Sequence, residues 1–301
     1  MTILVTGASG LIGSHLCKKL AEDGVDVIAL THETENLVLK SIPQSDIELA
    51  ACDIRAYSNL SSVFRYYRPE TVFHLAAHLP CTTNPDFIKV NVIGTSNLLD
   101  ICYRTGVKNF IYASSMSVYS TPPMQLPVDE DHPTRPADNY GRTKLVGELL
   151  CECYSKVMKT VAIRFSGVFG VGNFRVVYQF MRAALSGKAI QVDGDGSQSS
   201  DFIHVEDAVR GAILALEKGK SGEVYNIGSG QETSILELAN MVAGLVGPHR
   251  KIKPSGKLAN RPFRFAADID KARRELGYMP DSLIEGLRKY QNDYTRTSKT
   301  N

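Results

Sequence analysis

The sequence predicts an α/β fold built on a doubly wound parallel sheet, and three observations lead to that prediction. Six short runs in the first two-thirds of the chain are rich in β-branched residues and are continuously apolar rather than alternating. Such runs are typical of strands that are covered on both faces. Amphipathic segments separate them, as helical crossovers between parallel strands require. A glycine-rich turn directly follows the first run.

The predicted strands and helices alternate along the chain. The first helix is predicted from Leu11 to Asp23, because Gly24 is a good C-cap residue. Apolar residues three and four apart predict another helix from about Asp86 to Tyr103. The six predicted strands are Ile3–Thr6, Val25–Leu30, Ile47–Cys52, Thr71–Leu75, Asn109–Ala113 and Thr160–Arg164.

A change of pattern after about Gly170 predicts a second domain. Helices dominate from there, and Ser234 and Glu237 fit a capping box that opens one of them. The run Val224–Ile227 is predicted to be a strand that rejoins the main sheet. We expect a larger domain at 1–170, rejoined by about 202–228, and a smaller, interleaved C-terminal α/β domain in 171–301.

The composition excludes several classes of protein. The 301 residues are 43% hydrophobic and 22% charged, which is ordinary for a globular protein and unlike a disordered or fibrous one. A formal net charge of +2 gives no indication of a nucleic-acid partner or of an anionic membrane surface. The chain has no run of about 18 apolar residues and no secretory signal pattern, so we expect a cytoplasmic protein that spans no membrane.

The six cysteines favour free thiols over disulfides or a metal site. Their spacing is irregular, and a core of this size needs no disulfides. Cys151 and Cys153 form a CxC pair, but His132 is the only histidine near them in the sequence. We therefore expect no bound metal.

A glycine-rich turn joins the first predicted strand to the first predicted helix, with the spacing GxxGxxG. A pyrophosphate accepts hydrogen bonds from backbone N–H groups at a helix N-terminus, and glycine leaves that approach open. A strand before the turn and a helix after it predict binding of a dinucleotide cofactor. The contacts expected here are Gly7, Gly10, Leu11, Ile12 and Gly13.

Tyr140 and Lys144 are four residues apart, a spacing that places two side chains on one face of a helix. A tyrosine with an ordinary pKa of about 10 is a poor base at neutral pH, and a nearby ammonium lowers that pKa. Such a tyrosine can move a proton to or from a substrate hydroxyl. Ser115 follows the apolar strand Asn109–Ala113, where its hydroxyl can hydrogen-bond the same oxygen, because strand carboxyl ends face the ligand crevice.

Further motifs accompany these in a fixed order along the chain. Together they are Gly7–Gly13, His74–Ala77, Asn91–Thr95, Ser114–Ser115 with Val118–Tyr119, Tyr140–Lys144, Gly194–Gly196 and Asp201–Val205. With these motifs, the chain resembles the extended short-chain dehydrogenase/reductases over nearly its whole length, and especially the nucleotide-sugar epimerases and reductases of that group.

The resemblance implies a Rossmann fold and a catalytic role for Ser115, Tyr140 and Lys144. It favours Ser115 over Ser114, because the catalytic hydroxyl of the family stands three residues before the position of Val118. Asp53 matches the family's adenine-contacting acid, although a helix N-cap would place the same residue type there. The cofactor contacts implied beyond the glycine turn are Thr31, Asp53, Ile54, Leu75, Ala76, Ala77, Asn91, Tyr140, Lys144 and Phe165.

Two polar residues and two helices carry further expectations. Asn91 stands inside a predicted helix, where asparagine is mildly unfavourable, so it either lies on a solvated face or helps to hold the cofactor and the site, as the resemblance implies. His74 is expected to be a structural histidine at a strand end. Relatives often dimerise through the helices that correspond to Asp86–Tyr103 and Asn139–Val157, so we expect a homodimer.

The end of the second strand indicates which dinucleotide binds. A carboxylate there hydrogen-bonds the free 2′-hydroxyl of NAD, whereas an arginine accommodates the 2′-phosphate of NADP. Thr31 occupies this position, Glu33 follows closely, and no arginine occurs from Thr31 to Lys40. We expect NAD, with NADP as the alternative.

The substrate positions depart from the family pattern. The resemblance implies a diphosphate held by arginines and a sugar seated near an asparagine after the sixth strand. Gly167 stands at the position of that asparagine, and Ser200 stands where an arginine is usual. Arg261 matches a phosphate-binding arginine, and Arg175 is a second candidate cation. The expected substrate contacts are Ser115, Gly167, Arg175 and Arg261.

The residues at positions 116 and 117 distinguish between reactions. The resembling dehydratases place an Asp-Glu pair there, whereas this chain has Met116 and Ser117. A UDP-hexose 4-epimerase needs only reversible hydride transfer and a keto-sugar that rotates, and we expect this activity. A nucleotide keto-sugar reductase would use the same serine, tyrosine and lysine and is the alternative. A non-catalytic, dinucleotide-binding regulatory protein is a third hypothesis, disfavoured by the complete catalytic set.

Overall fold

A computed structural model describes residues 1–31, 39, 42–43, 46–79, 86–172, 175–247, 250–257 and 264–297. Its strands are β1 (Thr2–Thr6), β2 (Asp26–Thr31), β3 (Ile47–Ala51), β4 (Thr71–His74), β5 (Asn109–Ser115), β6 (Lys159–Phe165), β7 (Gly167–Phe169), β8 (Ile190–Val192), β9 (Ser199–Ser200), β10 (Phe202–His204), β11 (Val224–Ile227), β12 (Thr233–Ser234) and β13 (Ile252–Pro254). Seven of them form a parallel sheet in the order β11-β6-β5-β4-β1-β2-β3. The predicted doubly wound parallel sheet is confirmed.

The longer described helices are α1 (Leu11–Glu22), α2 (Tyr57–Tyr67), α3 (Thr95–Thr105), α4 (Asn139–Tyr154), α5 (Val176–Leu185), α6 (Val205–Lys218), α7 (Ile235–Val246) and α8 (Leu283–Thr297). Shorter segments are the helical turn Asp86–Ile88, the π-helical segments Lys89–Gly94 and Ala272–Leu276, and the 3-10 turn Met116–Val118. The predicted capping box is present at α7, where Ser234 and Glu237 each bond the other's backbone N–H.

All six predicted strands are present, with ends shifted by at most two residues. The run Val224–Ile227 pairs in parallel with β6, so the predicted return of the chain to the main sheet is confirmed. These strands form where predicted because their side chains are buried on both faces, except in the edge strand β3, where three of the five residues are exposed. Ile3 and Val5 pack on one face of the sheet, whereas Leu4 packs on the other.

A third hydrophobic cluster lies outside the main sheet and belongs to the C-terminal part of the chain. Phe180, Leu238 and Leu287 contribute to it from α5, α7 and α8. Three short strand pairs accompany these helices: β7 with β10, β9 with β12, and β8 with β13. The cluster agrees with the smaller C-terminal domain expected from the sequence, and the domain boundaries themselves stay a prediction.

The predicted helix from Asp86 to Tyr103 differs from the observed one. It opens as a single α-helical turn, widens into the π-helical segment Lys89–Gly94, and continues as α3. Gly94 permits a close approach at the end of the wide segment, because a Cβ there would lie 2.6 Å from Ile54 Cδ1. The segment carries Asn91, whose side chain it turns inward to 1% exposure.

Within the described residues, no helix is long and apolar enough to cross a membrane. The same part of the chain contains no group of three or more His, Cys, Asp or Glu side chains that could hold a metal ion.

Candidate active site

The strand order reverses beside β1, since β2 and β4 lie on its two sides. In parallel sheets this switch point opens a crevice at the carboxyl ends of the strands, where ligands bind. The glycine turn follows β1, and the segment from Leu75 to Ala77 follows β4, so both lie at this crevice. The fold therefore brings together two groups of residues that the sequence predicts as cofactor contacts.

The glycine turn is shaped by backbone contacts that leave no room for side chains. Gly7 has a φ of 66°, and a Cβ on it would lie 2.6 Å from Ala76 N. A Cβ on Gly13 would lie 2.2 Å from the carbonyl oxygen of Gly7. Gly10 is the N-cap residue of α1 and brings no side chain to the helix end, where Leu11 begins the first turn. These features fit a pyrophosphate bound by backbone N–H groups at a helix N-terminus.

Thr31 lies at the carboxyl end of β2 and touches the glycine turn. Its side chain is buried, and its hydroxyl donates to Ser9 Oγ over 2.8 Å. Position 31 is thus beside the turn, as the ribose prediction requires. His32 and Glu33, the other residues of that prediction, lie outside the described residues.

Asp53 and Ile54 follow β3 and differ in their surroundings. The Asp53 carboxylate accepts hydrogen bonds from the guanidinium of Arg55 and from its backbone N–H. Asp53 does not cap the next helix. The N-cap residue of α2 is Ala56, and no side-chain hydrogen bond caps this helix end. The N-cap alternative is therefore wrong. Ile54 is buried against the π-helical segment, so its side chain is a packing residue.

Asn91 connects the loop after β4 to the helix that carries Tyr140. Its Oδ1 accepts from His78 N over 2.7 Å, and its Nδ2 donates to His78 O and to Thr143 Oγ1. Thr143 Oγ1 in turn donates to the carbonyl oxygen of Tyr140 over 2.8 Å. The alternative of a solvated face for Asn91 is wrong, because the side chain is buried among these partners.

Ser115 and Tyr140 meet at the carboxyl end of β5. Burial raises the pKa of Tyr140, while a hydrogen bond with Ser115 and the positive charge of Arg175 oppose that shift. The neighbouring Ser114 points elsewhere and hydrogen-bonds the carboxylate of Glu148. The Ser115 hydroxyl is thus near Tyr140, while Ser114 has a buried structural partner.

Lys144 lies beneath Tyr140 on the same face of α4. Its Nζ is 5.8 Å from the centre of the Tyr140 ring and donates to the carbonyl oxygen of Ala113 over 2.7 Å. Burial lowers the pKa of Lys144 to about 8. The predicted main influence on the pKa of Tyr140 is the charge of Lys144, whereas in the structure burial of the phenol has the largest effect, and the positive charge that lowers this pKa is that of Arg175.

A buried ion pair anchors α4 to β6, and sequence analysis did not single it out. The guanidinium of Arg164 bonds both carboxylate oxygens of Glu148 at 2.9 and 2.7 Å, and it also donates to Tyr119 Oη. Both charged side chains are 6% exposed. A signal was available: an arginine at the end of a continuously apolar strand requires a partner when it is buried.

Phe165 ends β6 and lies in register with Ser115 of β5. Its side chain is buried in the core, at the edge of the sheet that carries the other predicted cofactor contacts.

Two of the four predicted substrate residues, Gly167 and Arg175, line a cavity of ≈ 310 Å³ beside β7 and α5, whereas Ser115 is not part of its wall. Gly167 lies in its wall, where a Cβ would be 2.7 Å from the carbonyl oxygen of Asp201, so an asparagine side chain does not fit there without a backbone shift. Arg175 lines the same cavity and is exposed. The positive charge of Arg175 also lowers the pKa of Tyr140. Arg261 lies outside the described residues.

Comparison with known proteins identifies the family. The family model described as the NAD dependent epimerase/dehydratase family matches residues 3–228. The chain belongs to this family. The predicted membership, the enzyme class and NAD as the cofactor of the family are thereby confirmed.

Individual relatives of this family member differ in their reactions. The UDP-glucose 4-epimerase of Mycolicibacterium smegmatis is 34% identical over 96% of this chain and 97% of its own length. The dTDP-4-dehydro-6-deoxy-D-allose reductase of Streptomyces bikiniensis is 32% identical over 95% of this chain and 94% of its own. The crystal structure of UDP-glucuronic acid 4-epimerase from Bacillus cereus, in complex with UDP-glucuronic acid and NAD, has a TM-score of 0.87 and 31% identity, covering 99% of this chain and all of that one.

The similarity to these enzymes does not test individual residues of this chain. The roles of the predicted catalytic, cofactor and substrate residues therefore stay predictions, as do the homodimer and the cytoplasmic location.

Proposed function

We propose that this chain is a nucleotide-sugar epimerase of the UDP-hexose 4-epimerase type. The observation that carries the proposal is that Tyr140, Ser115 and Lys144 lie close together at the carboxyl end of β5, next to the strand β4 that borders the switch point. The residues at the glycine turn fit the dinucleotide on the other side of the same crevice. Two of the relatives described above carry the name 4-epimerase, which supports this reaction.

The chain's own residues would perform the proton transfer. Bound NAD would supply reversible hydride transfer at a sugar carbon. Tyr140 removes the proton from the hydroxyl on that carbon and later gives it back. The Ser115 side chain lies close enough to Tyr140 to lower its pKa, so we propose that its hydroxyl binds the same sugar oxygen as Tyr140. Lys144 places a positive charge below the phenol ring, which favours the phenolate during transfer.

The cavity beside β7 is proposed to hold the nucleotide end of the substrate. It is lined by apolar side chains, among them Phe202 and Ile235, together with Gln198 and Arg175. Such a mixture suits a planar base and a charged diphosphate. Arg175 is proposed to contact the substrate from this cavity, and Arg261 is proposed to bind a phosphate. Ser115 and Gly167 complete the proposed substrate contacts.

A nucleotide keto-sugar reductase is the second candidate, and one observation favours it. Gly167 and Ser200 replace an asparagine and an arginine that the epimerase pattern leads us to expect, and β10 packs directly against Gly167. The substrate side is thus altered while the proton-transfer residues are complete. The Streptomyces bikiniensis relative, named as a reductase, shows that this level of similarity includes such enzymes.

The cofactor balance distinguishes the two reactions. We expect the chain to interconvert UDP-glucose and UDP-galactose with a catalytic amount of NAD and no sustained change in the absorbance of reduced nicotinamide. An epimerase returns its hydride in every cycle, whereas a reductase consumes one reduced dinucleotide per product. Stoichiometric consumption of NADH or NADPH with a 4-keto sugar, without epimerisation of any nucleotide hexose, would assign the chain to the reductases.

A further inference from the structure

A network of buried hydrogen bonds connects the loop after β4 to the π-helical segment. Ala76 N donates to Thr6 Oγ1 over 3.2 Å, and Thr6 Oγ1 lies 2.8 Å from His74 Nδ1. On the other side of the ring, His74 Nε2 lies 2.8 Å from Thr95 Oγ1, which donates to the carbonyl oxygen of Asn91 over 2.7 Å. The side chains of Thr6, His74 and Thr95 are fully buried.

The hydrogen-bond partners determine where each proton of this network lies. A carbonyl oxygen only accepts, so the hydroxyl hydrogen of Thr95 points to Asn91. Thr95 Oγ1 must then accept from His74, which places the ring proton on Nε2. His74 Nδ1 is left as an acceptor for the hydroxyl of Thr6, and that oxygen is in turn free to accept from Ala76 N–H. Each link is satisfied in only one direction.

His74, in the middle of this network, is neutral. Burial and the positive charge of Lys144 lower the pKa of His74 to about 3. A protonated ring would donate from both nitrogens and would turn the hydroxyl of Thr6 away from Nδ1. The donors and acceptors of this network therefore keep the same roles at neutral pH.

The hydrogen-bond network continues through Asn91 to the proposed catalytic residue Tyr140. The backbone of Asn91 is held by Thr95, while its side chain reaches His78 and Thr143, and Thr143 bonds the backbone of Tyr140. Buried polar networks of this kind rigidify a site when every member is satisfied. Removal of one link therefore loosens the elements on both sides of it.

We propose that His74 is a positioning residue that couples the cofactor loop after β4 to the helix carrying Tyr140. This inference rests on the proposed function for its kinetic consequence alone. The loop Leu75–His78 is held at His78 directly by the Asn91 side chain and at Ala76 through Thr6. His74 joins Thr6 to Thr95, and Thr95 holds the backbone of Asn91, so His74 fixes Asn91 relative to the start of the loop and thereby positions the helix that carries Tyr140.

Three variants each remove hydrogen bonds from a different part of this network. His74→Leu removes both links and keeps a similar volume. His74→Gln retains an amide that can donate to Thr95 but loses the acceptor facing Thr6. Thr95→Val removes the link to Asn91 without altering the histidine. The matched control is His132→Gln, because His132 is also buried with both ring nitrogens bonded, to Met124 N and Pro133 O.

Two measurements are made on each variant. The first is hydrogen exchange of the backbone around Tyr140 in the presence of NAD, which needs no sugar substrate. The second is the separation of kcat from KM for the nucleotide sugar. Thr95→Val and His74→Leu are expected to speed exchange around Tyr140 and to lower kcat by about 10- to 100-fold with KM little changed, since a small misplacement costs this much. His74→Gln is expected to retain much of the kcat that His74→Leu loses.

The control separates positioning from general destabilisation. His132→Gln is expected to leave both readouts at the level of the unmodified chain. The proposal would be overturned if hydrogen exchange around Tyr140 is unchanged in Thr95→Val and in whichever His74 variant folds. It would also be overturned if His132→Gln speeds this exchange as much as the His74 variants do. If no nucleotide sugar turns over, the proposed function fails, but the exchange measurement still decides the role of His74.

Discussion

The cofactor side and the substrate side of the crevice differ in how tightly the fold holds their residues. On the cofactor side, Gly7 packs against the backbone after β4, and Asn91 is buried between two segments of the site. On the substrate side, Arg175 is exposed, and Gly167 offers no side chain to a ligand. The cofactor side is built from residues that bond one another, whereas the substrate side is a cavity whose polar residues, such as Ser166, bond to residues outside its wall.

This difference follows from the chemistry that each side serves. Proton transfer beside a dinucleotide needs the same tyrosine, lysine and hydroxyl in an epimerase and in a reductase. Recognition of a particular sugar nucleotide varies between enzymes that share this machinery, as the relatives named for different substrates illustrate. The reaction type can therefore be inferred at the level of the family, while the substrate depends on the less rigid side.

The largest expected effect tests the rigid side. Tyr140→Phe removes the hydroxyl that moves the proton and leaves the glycine turn intact, so turnover should fall by about 10²- to 10⁴-fold while NAD affinity is retained. Steady-state kinetics and a titration with NAD measure the two quantities. Tyr112→Phe is the matched control, because the Tyr112 ring also faces Lys144 Nζ, at 5.0 Å. Turnover of Tyr140→Phe close to that of the control would remove Tyr140 from the mechanism.

Local patterns account for what the sequence predicted correctly. The strands follow from continuous apolar runs, and the placement of Lys144 beside the Tyr140 ring follows from the helix spacing. The π-helical segment Lys89–Gly94 and the Arg164–Glu148 pair did not follow from such patterns. Both depend on contacts between segments far apart in the chain, where Ile54 meets Gly94 and where α4 meets β6. A pattern within one segment carries no information about these contacts.

An intermediate effect tests whether the substrate side is closed by packing. A Cβ on Gly167 would lie 2.7 Å from the carbonyl oxygen of Asp201, whose carbonyl also accepts from Gly167 N. Gly167→Ala should therefore lower the free energy of unfolding by about 1–3 kcal/mol, as overpacking does. Gly244→Ala is the control, because nothing lies within 4 Å of a Cβ at this position in α7. It should raise that free energy by about 1 kcal/mol.

Denaturant unfolding of both variants measures these changes. Equal stability of Gly167→Ala and the unmodified chain would show that β7 and β10 can separate. The substrate side would then have room for the asparagine that the family pattern leads us to expect.

The smallest expected effect lies at the edge of the rigid side, where the dinucleotides differ. Thr31 is 3% exposed, donates to Ser9 and lies at the carboxyl end of β2, where the adenine ribose of a dinucleotide is recognised. Thr31→Asp should repel the 2′-phosphate of NADP and spare the 2′-hydroxyl of NAD, shifting the ratio of the two affinities by about tenfold, or 1.4 kcal/mol. Thr31→Val, which removes the same hydroxyl without adding charge, separates repulsion from the loss of the Ser9 bond. Titration of both dinucleotides into the three proteins gives the ratio. If Thr31→Asp and Thr31→Val have the same ratio, position 31 does not face the ribose, and the residue that distinguishes NAD from NADP lies elsewhere on the loop after β2.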